Sequence, residues 1–475
     1  MVFPIAGGTQ DTGYDISNSL RFNDNDSARL TREFDQDPTG NRKTFTISCW
    51  VKRSNISSNH AVVSASTTNN FNDKIIGFRG DTDGVEVNNI ASGSDALQII
   101  TNRKFRDVSS WYHIVVAIDT TQSALADGVK FYVNGTRDTS FSGTPVYNQN
   151  ATFEIGRSGS TTAIGMMQVN SSQFFDGYLS DFYFIDGQQL APTEFGETND
   201  NGVWIPKQYT GTFGNNGFKL EFKQTGTSQN SSGIGADTSG NDQHFAVTNL
   251  AAIDQTTDTP TNNYATLSII NKFNSPVVAE GALEFDSNSS SGSSMVSTIA
   301  PSDGKWYAEA KVAPAASAGA VVAVSIGVSE VGKESFNVKG QGASRPNVGY
   351  NYGDNINTNV EIDGSLVDTE SQYRAGDIVG IALNLDDGEV TFYLNGTAIN
   401  SGTAYNLHTN STHGNTGFSV QTHTSSGNQI VSYNFGNPAF SISSGNSDAN
   451  GYGNFEYSVP SGYFALNTKN LAEYG

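Results

Sequence analysis

One hairpin is written twice in this chain, and that repetition constrains the fold more than any other feature. Asp127-Gly128-Val129-Lys130-Phe131-Tyr132-Val133-Asn134-Gly135-Thr136 is echoed by Asp387-Gly388-Glu389-Val390-Thr391-Phe392-Tyr393-Leu394-Asn395-Gly396-Thr397. In each copy a strand lies between Asp-Gly and Asn-Gly, dipeptides that accept the positive φ angles of tight hairpin turns. The adjacent Phe and Tyr then face opposite sides of a sheet, one into a core and one outward or against a second layer. Each copy follows a long apolar strand, Ile114 to Asp119 and Ile378 to Leu385. The copies are too far apart, and too different in between, for a solenoid. They predict one central hairpin used in two separate sandwiches.

The rest of the pattern agrees. Thr44-Phe45-Thr46-Ile47-Ser48-Cys49-Trp50-Val51-Lys52 carries large apolar residues at odd positions, with Cys49, the single cysteine, as a small buried apolar group. Trp111 to Asp119 is a denser β-branched run, as a central strand should be. Helical periodicity is almost absent, and Leu190 to Phe195, with Pro192 near its start, makes one turn. Short strands with turn punctuation argue for antiparallel sandwiches. At 475 residues the chain exceeds one core, so two or three domains are expected.

Composition decides between many short strands and disorder. The hydrophobic fraction of 36% is low and glycine numbers 50, but aromatics reach 11% and recur inside the alternating runs, which disordered chains lack. The net charge of −21 repels nucleic acid and anionic membranes, so neither is an expected partner. One cysteine excludes an internal disulfide framework. Met1 to Gly8 lacks the basic and apolar stretches of a signal peptide, and no run approaches the roughly 20 apolar residues of a membrane helix. The reading is of a chain made in the cytoplasm, with no membrane insertion.

These features divide the chain into an N-terminal arm (1–16), a first sandwich (17–222), an extended connector (223–263) ending in Asp258-Thr259-Pro260-Thr261-Asn262-Asn263, and a second sandwich (264–475). The Phe218 to Phe222 strand is assigned to the first sandwich.

The first sandwich resembles a laminin-G/pentraxin-type member of the concanavalin-A-like lectin superfamily. The resemblance rests on Leu20-Arg21-Phe22, Phe45 to Val51, Trp111-Tyr112-His113-Ile114-Val115, Phe131-Tyr132-Val133-Asn134-Gly135 and Phe175-Asp176-Gly177-Tyr178-Leu179-Ser180-Asp181-Phe182, followed by the turn at Leu190. The second resembles a SPRY domain in Gly304-Lys305-Trp306-Tyr307-Ala308-Glu309, Gly376 to Leu383, Phe392 to Gly396 and Tyr433-Asn434-Phe435-Gly436, closed by Pro460 to Leu471. The fold class is thus all-β: two antiparallel β-sandwiches, a laminin-G/ConA-like jelly roll then a SPRY-like sandwich, joined by an extended connector. Together the parts resemble structural proteins of marine tailed phages. That resemblance implies a virion component with other virion proteins as partners, and a homo-oligomer, trimeric by analogy with such appendages.

The superfamily that the first sandwich resembles includes glycoside hydrolases, so the resemblance leaves catalysis open. Concanavalin-like glucanases place Glu-x-Asp-x-x-Glu on one strand. Here Glu284-Phe285-Asp286 and Glu361-Ile362-Asp363 begin such a pattern, but Ser289 and Leu366 break it, and both lie in the other half. The six histidines form no His-Glu-x-x-His pair, and no Gly-x-Ser-x-Gly elbow occurs. The expectation is no enzyme and no catalytic residue. Laminin-G and pentraxin domains often bind calcium, and Asn23-Asp24-Asn25-Asp26 and Asp35-Gln36-Asp37 offer oxygens. A solvated acidic loop is the preferred reading, and no metal or other cofactor is assigned. In SPRY domains the loops at one end bind partners, which marks Arg345, Tyr350, Asn351, Tyr352, His408 and His413 as candidate ligand-binding residues; the tyrosines serve equally well as strand residues packing a second layer. Three functions remain: a tail-fibre or appendage adhesin binding host-surface glycan or protein, a capsid decoration or other structural virion protein, and, disfavoured, a polysaccharide depolymerase.

Overall fold

The computed structural model describes residues 13–34, 41–56, 58–287, 292–313, 324–331, 347–351, 358–363, 365–371, 373–407, 414–422 and 429–475. The chain is all-β and divides into two compact units, one running to Thr261 and one from Asn262 to Gly475.

The first unit is a two-sheet antiparallel sandwich. From edge to edge its first sheet runs Thr136–Asp138, Val129–Val133, Tyr112–Asp119, Thr44–Arg53, Gly177–Asp186, Ser19–Phe22 and Gln255–Thr256, with Phe218–Leu220 also pairing Gly177–Asp186. Its second sheet runs Val146–Tyr147, Ser94–Ile100, Val85–Ala91, Phe71–Phe78, His60–Thr68, Thr161–Ile164, Arg29–Glu33 and Ala246–Thr248. Phe45, Ile47, Cys49 and Val51 alternate inward to meet Val63, Ile75, Val87 and Leu97 from the facing sheet in one core. The Cys49 thiol is buried and unpaired, as its place in the alternation requires.

The first sheet is buried on its other face too. Trp50, Trp111 and Tyr178 point away from the core and are covered by Tyr14, Ile16 and Trp204. Val115, Tyr183 and Ile185 are covered by Leu190, Phe195, Tyr209 and Phe213. Polar outward residues find partners in the same layer. Lys52 meets Asp258 at 2.8 Å, both almost wholly buried, and the Trp111 indole donates to the other oxygen of Asp258 at 3.1 Å.

Described residues of the segments expected as an arm (1–16) and as a connector (223–263) pack onto this sandwich. Ala246–Thr248 and Gln255–Thr256 add an edge strand to each sheet, pairing with Arg29–Glu33 and Ser19–Phe22. Thr261 donates to the Ile16 carbonyl at 3.0 Å, and Ile16 is itself buried. A polar segment packs here because its buried oxygens are hydrogen-bonded, which removes the cost of burying them.

The second unit repeats the plan. One sheet runs Val277–Ala279, Glu284–Asp286, Ile430–Asn434, Lys305–Val312, Ile378–Asn384, Glu389–Leu394 and Thr397–Ala398; the other runs Leu267–Phe273, Ser294–Ser297, Thr416–Thr422, Val324–Glu330, Asn347–Asn351, Thr358–Ile362 and Ser365–Glu370. The Tyr433 hydroxyl crosses between them to the Ser419 carbonyl at 2.6 Å. The tail again covers the hairpin sheet: Tyr307 and Ala382 pack under Phe455 and Ala465. The buried Glu309 carboxylate accepts the backbone N–H groups of Glu456 and Tyr457 at 3.0 and 2.8 Å.

The echoed hairpins are physically equivalent. Asn134 and Gly135 have φ of 48° and 75°, Asn395 and Gly396 of 48° and 78°, a type I′ turn. Each Asn side chain accepts an N–H near the start of the hairpin's first strand, from His113 in Tyr112–Asp119 at 2.7 Å and from Ile378 in Ile378–Asn384 at 3.0 Å. As expected, Phe131 faces the core while Tyr132 joins the outer layer. The Asp-Gly ends differ. Gly388 has φ of 70°, but Gly128 closes a helical turn, Leu125–Gly128, and is glycine because a Cβ would lie 2.0 Å from the Tyr147 hydroxyl.

A Cβ at Gly135 would sit 2.4 Å from the Trp204 ring and one at Gly396 2.5 Å from the Tyr457 ring, whereas Gly143 (φ 66°) meets nothing within 4 Å. Gly135→Ala and Gly396→Ala should each lose about 3 kcal/mol by urea unfolding, from left-handed strain plus overpacking. Gly143→Ala should lose about 1 kcal/mol from the strain alone.

Candidate functional site

Unlike the first sheet, the second sheet of the first unit carries a polar row on its outward face. Val85-Glu86-Val87-Asn88 alternates so that Val85 and Val87 enter the core and Glu86 and Asn88 face away. Across the sheet Lys74 stands opposite Asn88, and Asn88 opposite Gln98. The Glu86 carboxylate takes the Lys74 ammonium at 2.9 Å on one oxygen and the Gln98 amide at 3.0 Å on the other. Arg79 approaches Glu86 at 3.6 Å and forks onto Asp81 at 2.9 and 2.7 Å. That fork holds the Asp81 carboxyl at about 2, below its ordinary value. The Asn88 amide donates to Asp95 at 2.8 Å.

Lys74 and Arg79 face the carboxylates of Glu86, Asp81 and Asp95, so most of the charge in the patch is paired within it. Its side chains are held by each other before any ligand arrives. The side-chain carbonyl oxygens of Asn88 and Gln98 accept no hydrogen bond from the described residues. Donors and acceptors fixed in a near-planar row match a ligand rich in hydroxyls, each of which both donates and accepts.

A second carboxylate holds this sheet from behind. Asp73 is wholly buried; one oxygen accepts the Glu154 and Ile155 N–H groups at 2.5 and 3.0 Å and the other the Asn89 amide at 2.7 Å. Burial raises its carboxyl to about 7 against these hydrogen bonds. Glu154 in turn meets Arg42 and Arg157 at 2.8 and 2.9 Å.

The residues expected to bind ligand are placed differently. Tyr350 is fully buried: its ring packs edge-on to Tyr373 at 5.0 Å and its hydroxyl donates to the Ser371 carbonyl. It is a core residue, because the alternation that buries Val348 buries Tyr350 on the same face. Asn351 closes the strand Asn347–Asn351, its side chain lying outside the described residues, as do Arg345, Tyr352, His408 and His413 altogether. Of the candidate calcium loops, Asp35-Gln36-Asp37 is likewise outside. In the other, Asn23 donates to Asp26 at 3.1 Å and accepts the Asn25 N–H at 3.2 Å, so the loop's side chains close its own turn. Among the described residues no three His, Cys, Asp or Glu side chains converge to hold a metal. His113 is a structural group, stacked between Trp50 and Trp204 and bonded to Ser48 at 2.8 Å and to the Trp204 indole at 3.0 Å. Burial pushes it down to about 3, so it stays neutral.

Residues 23–194, a stretch that includes the polar row, match the family model of the concanavalin A-like lectin/glucanases superfamily. No curated protein matches the chain. Solved structures with some likeness include the SPRY domain of human HERC1 (15% identity, 35% of this chain and 96% of that one, TM-score 0.29). A heptameric SAP-like pentraxin from Limulus polyphemus shows 17% identity over 38% of this chain and 80% of its own, with a TM-score of 0.28. A putative carbohydrate binding protein from Bacteroides ovatus shows 13% identity over 50% and 58%, with a TM-score of 0.31.

Asp73 gives a pH test of the layer beneath the row. Its native carboxyl holds a proton up to about 7, while the unfolded one releases it near 3.8. The native state therefore binds more protons between those values, and stability falls as pH rises through that window, levelling above it. Asp73→Asn should flatten this part of the urea-stability profile. Subtracting the variant's profile from wild type removes the opposite contribution of His113.

Proposed function

We propose that this protein is a virion-surface adhesin that binds host-surface glycan or protein without catalysis. The observation that carries the reading is the internally paired row of Lys74, Glu86, Asn88 and Gln98, on an outward sheet face within the stretch that matches the lectin/glucanases superfamily. A sheet face with no ligand and no covering layer needs only solvated side chains. Here Glu86 and Asn88 are under 8% exposed yet polar, and they are spent on Lys74, Gln98 and Asp95 rather than on the core. Such preorganisation lowers the ordering cost when a polyhydroxyl ligand displaces water from the face. The virion setting comes from the resemblance of the whole chain to phage structural proteins. The non-catalytic reading is supported by the carboxylates of the row being engaged by Lys74, Arg79 and Gln98 instead of flanking an open gap.

A glycan array read with the labelled full chain tests this. Wild type should retain a defined subset of glycans. Asn88→Ala and Gln98→Ala should each weaken that binding about tenfold, the worth of one well-placed hydrogen bond, with urea midpoints close to wild type. An empty array, or variants that bind like wild type, would remove the row from the function. Release of reducing ends from a bound polysaccharide would replace the adhesin with a depolymerase.

A further inference from the structure

Strand Phe218–Leu220 lies antiparallel to Gly177–Asp186 with Lys219 opposite Tyr183. The longer strand is irregular at this point: its register against Thr44–Arg53 shifts between Ser180 and Tyr183, and Asp181 has a φ of 46°. A non-glycine residue adopts that conformation at a cost, and it persists only where the surroundings hold it. The irregularity sets the Asp181 carboxylate beside Lys219, Nζ to Oδ1 3.5 Å, with side-chain exposures of 7% and 3%. Glu221, two residues beyond Lys219, accepts from the same Nζ at 3.0 Å. Tyr14 and Tyr183 donate their hydroxyls to the two oxygens of Asp181 at 3.0 and 2.8 Å. Their rings flank the ammonium at 5.4 and 5.1 Å.

An amine, a carboxyl group and a second carboxylate thus share one water-poor, aromatic-walled site. None of them is used by the polar row or by the core. We propose that Lys219 and Asp181 condense into an intramolecular amide that joins Nζ to Cγ. The ion pair first passes a proton from Nζ to a carboxylate, giving amine and acid. The amine lone pair then forms the N–C bond at Cγ, and Glu221 takes a second proton from nitrogen. A Cγ–O bond breaks and the oxygen leaves as water, carrying the two protons. An ammonium and a carboxylate become one amide and one water, so no oxidant, reductant or co-reactant is needed.

The surroundings suit each step. The Tyr183 hydroxyl, already on Oδ2, steadies charge that develops on the retained oxygen. Holding the reacting groups in contact replaces an encounter in solution. Exclusion of water disfavours the return by hydrolysis. Burial raises the Asp181 carboxyl, which favours its acid form. Burial alone would lower Lys219, but Asp181, Tyr14 and Glu221 outweigh it and hold the ammonium above its ordinary value. Because the groups meet only in the folded chain, the bond forms after folding rather than during it. Once formed it would lock the short strand Phe218–Leu220 to Gly177–Asp186, a covalent staple between two strands of the sheet.

The test is the intact mass of the full chain, denatured after prolonged incubation in the folded state. The expected result is a mass short of the sequence value by one water. Peptide mapping should then yield a branched peptide joining the segments around residues 181 and 219. Glu221→Gln and Lys219→Arg should show the full sequence mass. Should either variant fail to fold, the wild-type mass and map decide alone. An unmodified wild-type mass overturns the proposal, as does a lost water that maps to an Asp-Gly succinimide or to Lys52 and Asp258.

Discussion

Everything in the first unit follows from a sheet that is buried on both faces. Thr44–Arg53 and Gly177–Asp186 send one set of side chains into the sandwich core and the other set into a second apolar layer. Such a sheet cannot leave its outward polar residues in water, so each needs an internal partner. That requirement accounts for Lys52 on Asp258, for His113 held between Ser48 and Trp204, and for Lys219 on Asp181 and Glu221. It also dictates where much of the chain goes after Asp186: Leu190, Phe195, Trp204, Tyr209, Phe213 and Asp258 cover this sheet, and Phe218–Leu220 and Gln255–Thr256 extend it. The second unit meets the same demand with its C-terminal segment, which Glu309 pins down.

The two sheets of the first unit consequently divide the work. The covered sheet is committed to structure. The other keeps an outward face, and on it the polar alternation of Val85 to Asn88 produces a row held together by its own hydrogen bonds. The row lies within residues 23–194, the stretch that matches the concanavalin A-like lectin/glucanases superfamily.

Much of this was legible in the sequence because it is periodic. The echoed hairpins, the alternation through Cys49, the strand at Phe218 and the one turn at Pro192 all appear where their side-chain pattern puts them. What escaped has no period. The segment from 223 to 263 reads as a connector because it is polar and short of apolar runs, yet its threonines and Asp258 are buried by pairing, which composition does not reveal. Tyr350 looked like a ligand platform because Tyr and Asn neighbours suit sugar contacts. Its burial depends on which face of its strand meets the facing sheet, and a lone strand does not declare that. Lys74, Glu86 and Gln98 are not legible as a group because they lie on three strands, and only the register brings them together.

The most direct test of the central claim is immunogold labelling of intact particles with antibody to the purified chain, combined with an adsorption assay. The account predicts label on particle appendages and loss of host adsorption when the antibody is bound. Label spread evenly over the head, or adsorption indifferent to the antibody, would contradict the adhesin. Particles without label, and the chain free in the lysate, would contradict the virion setting itself.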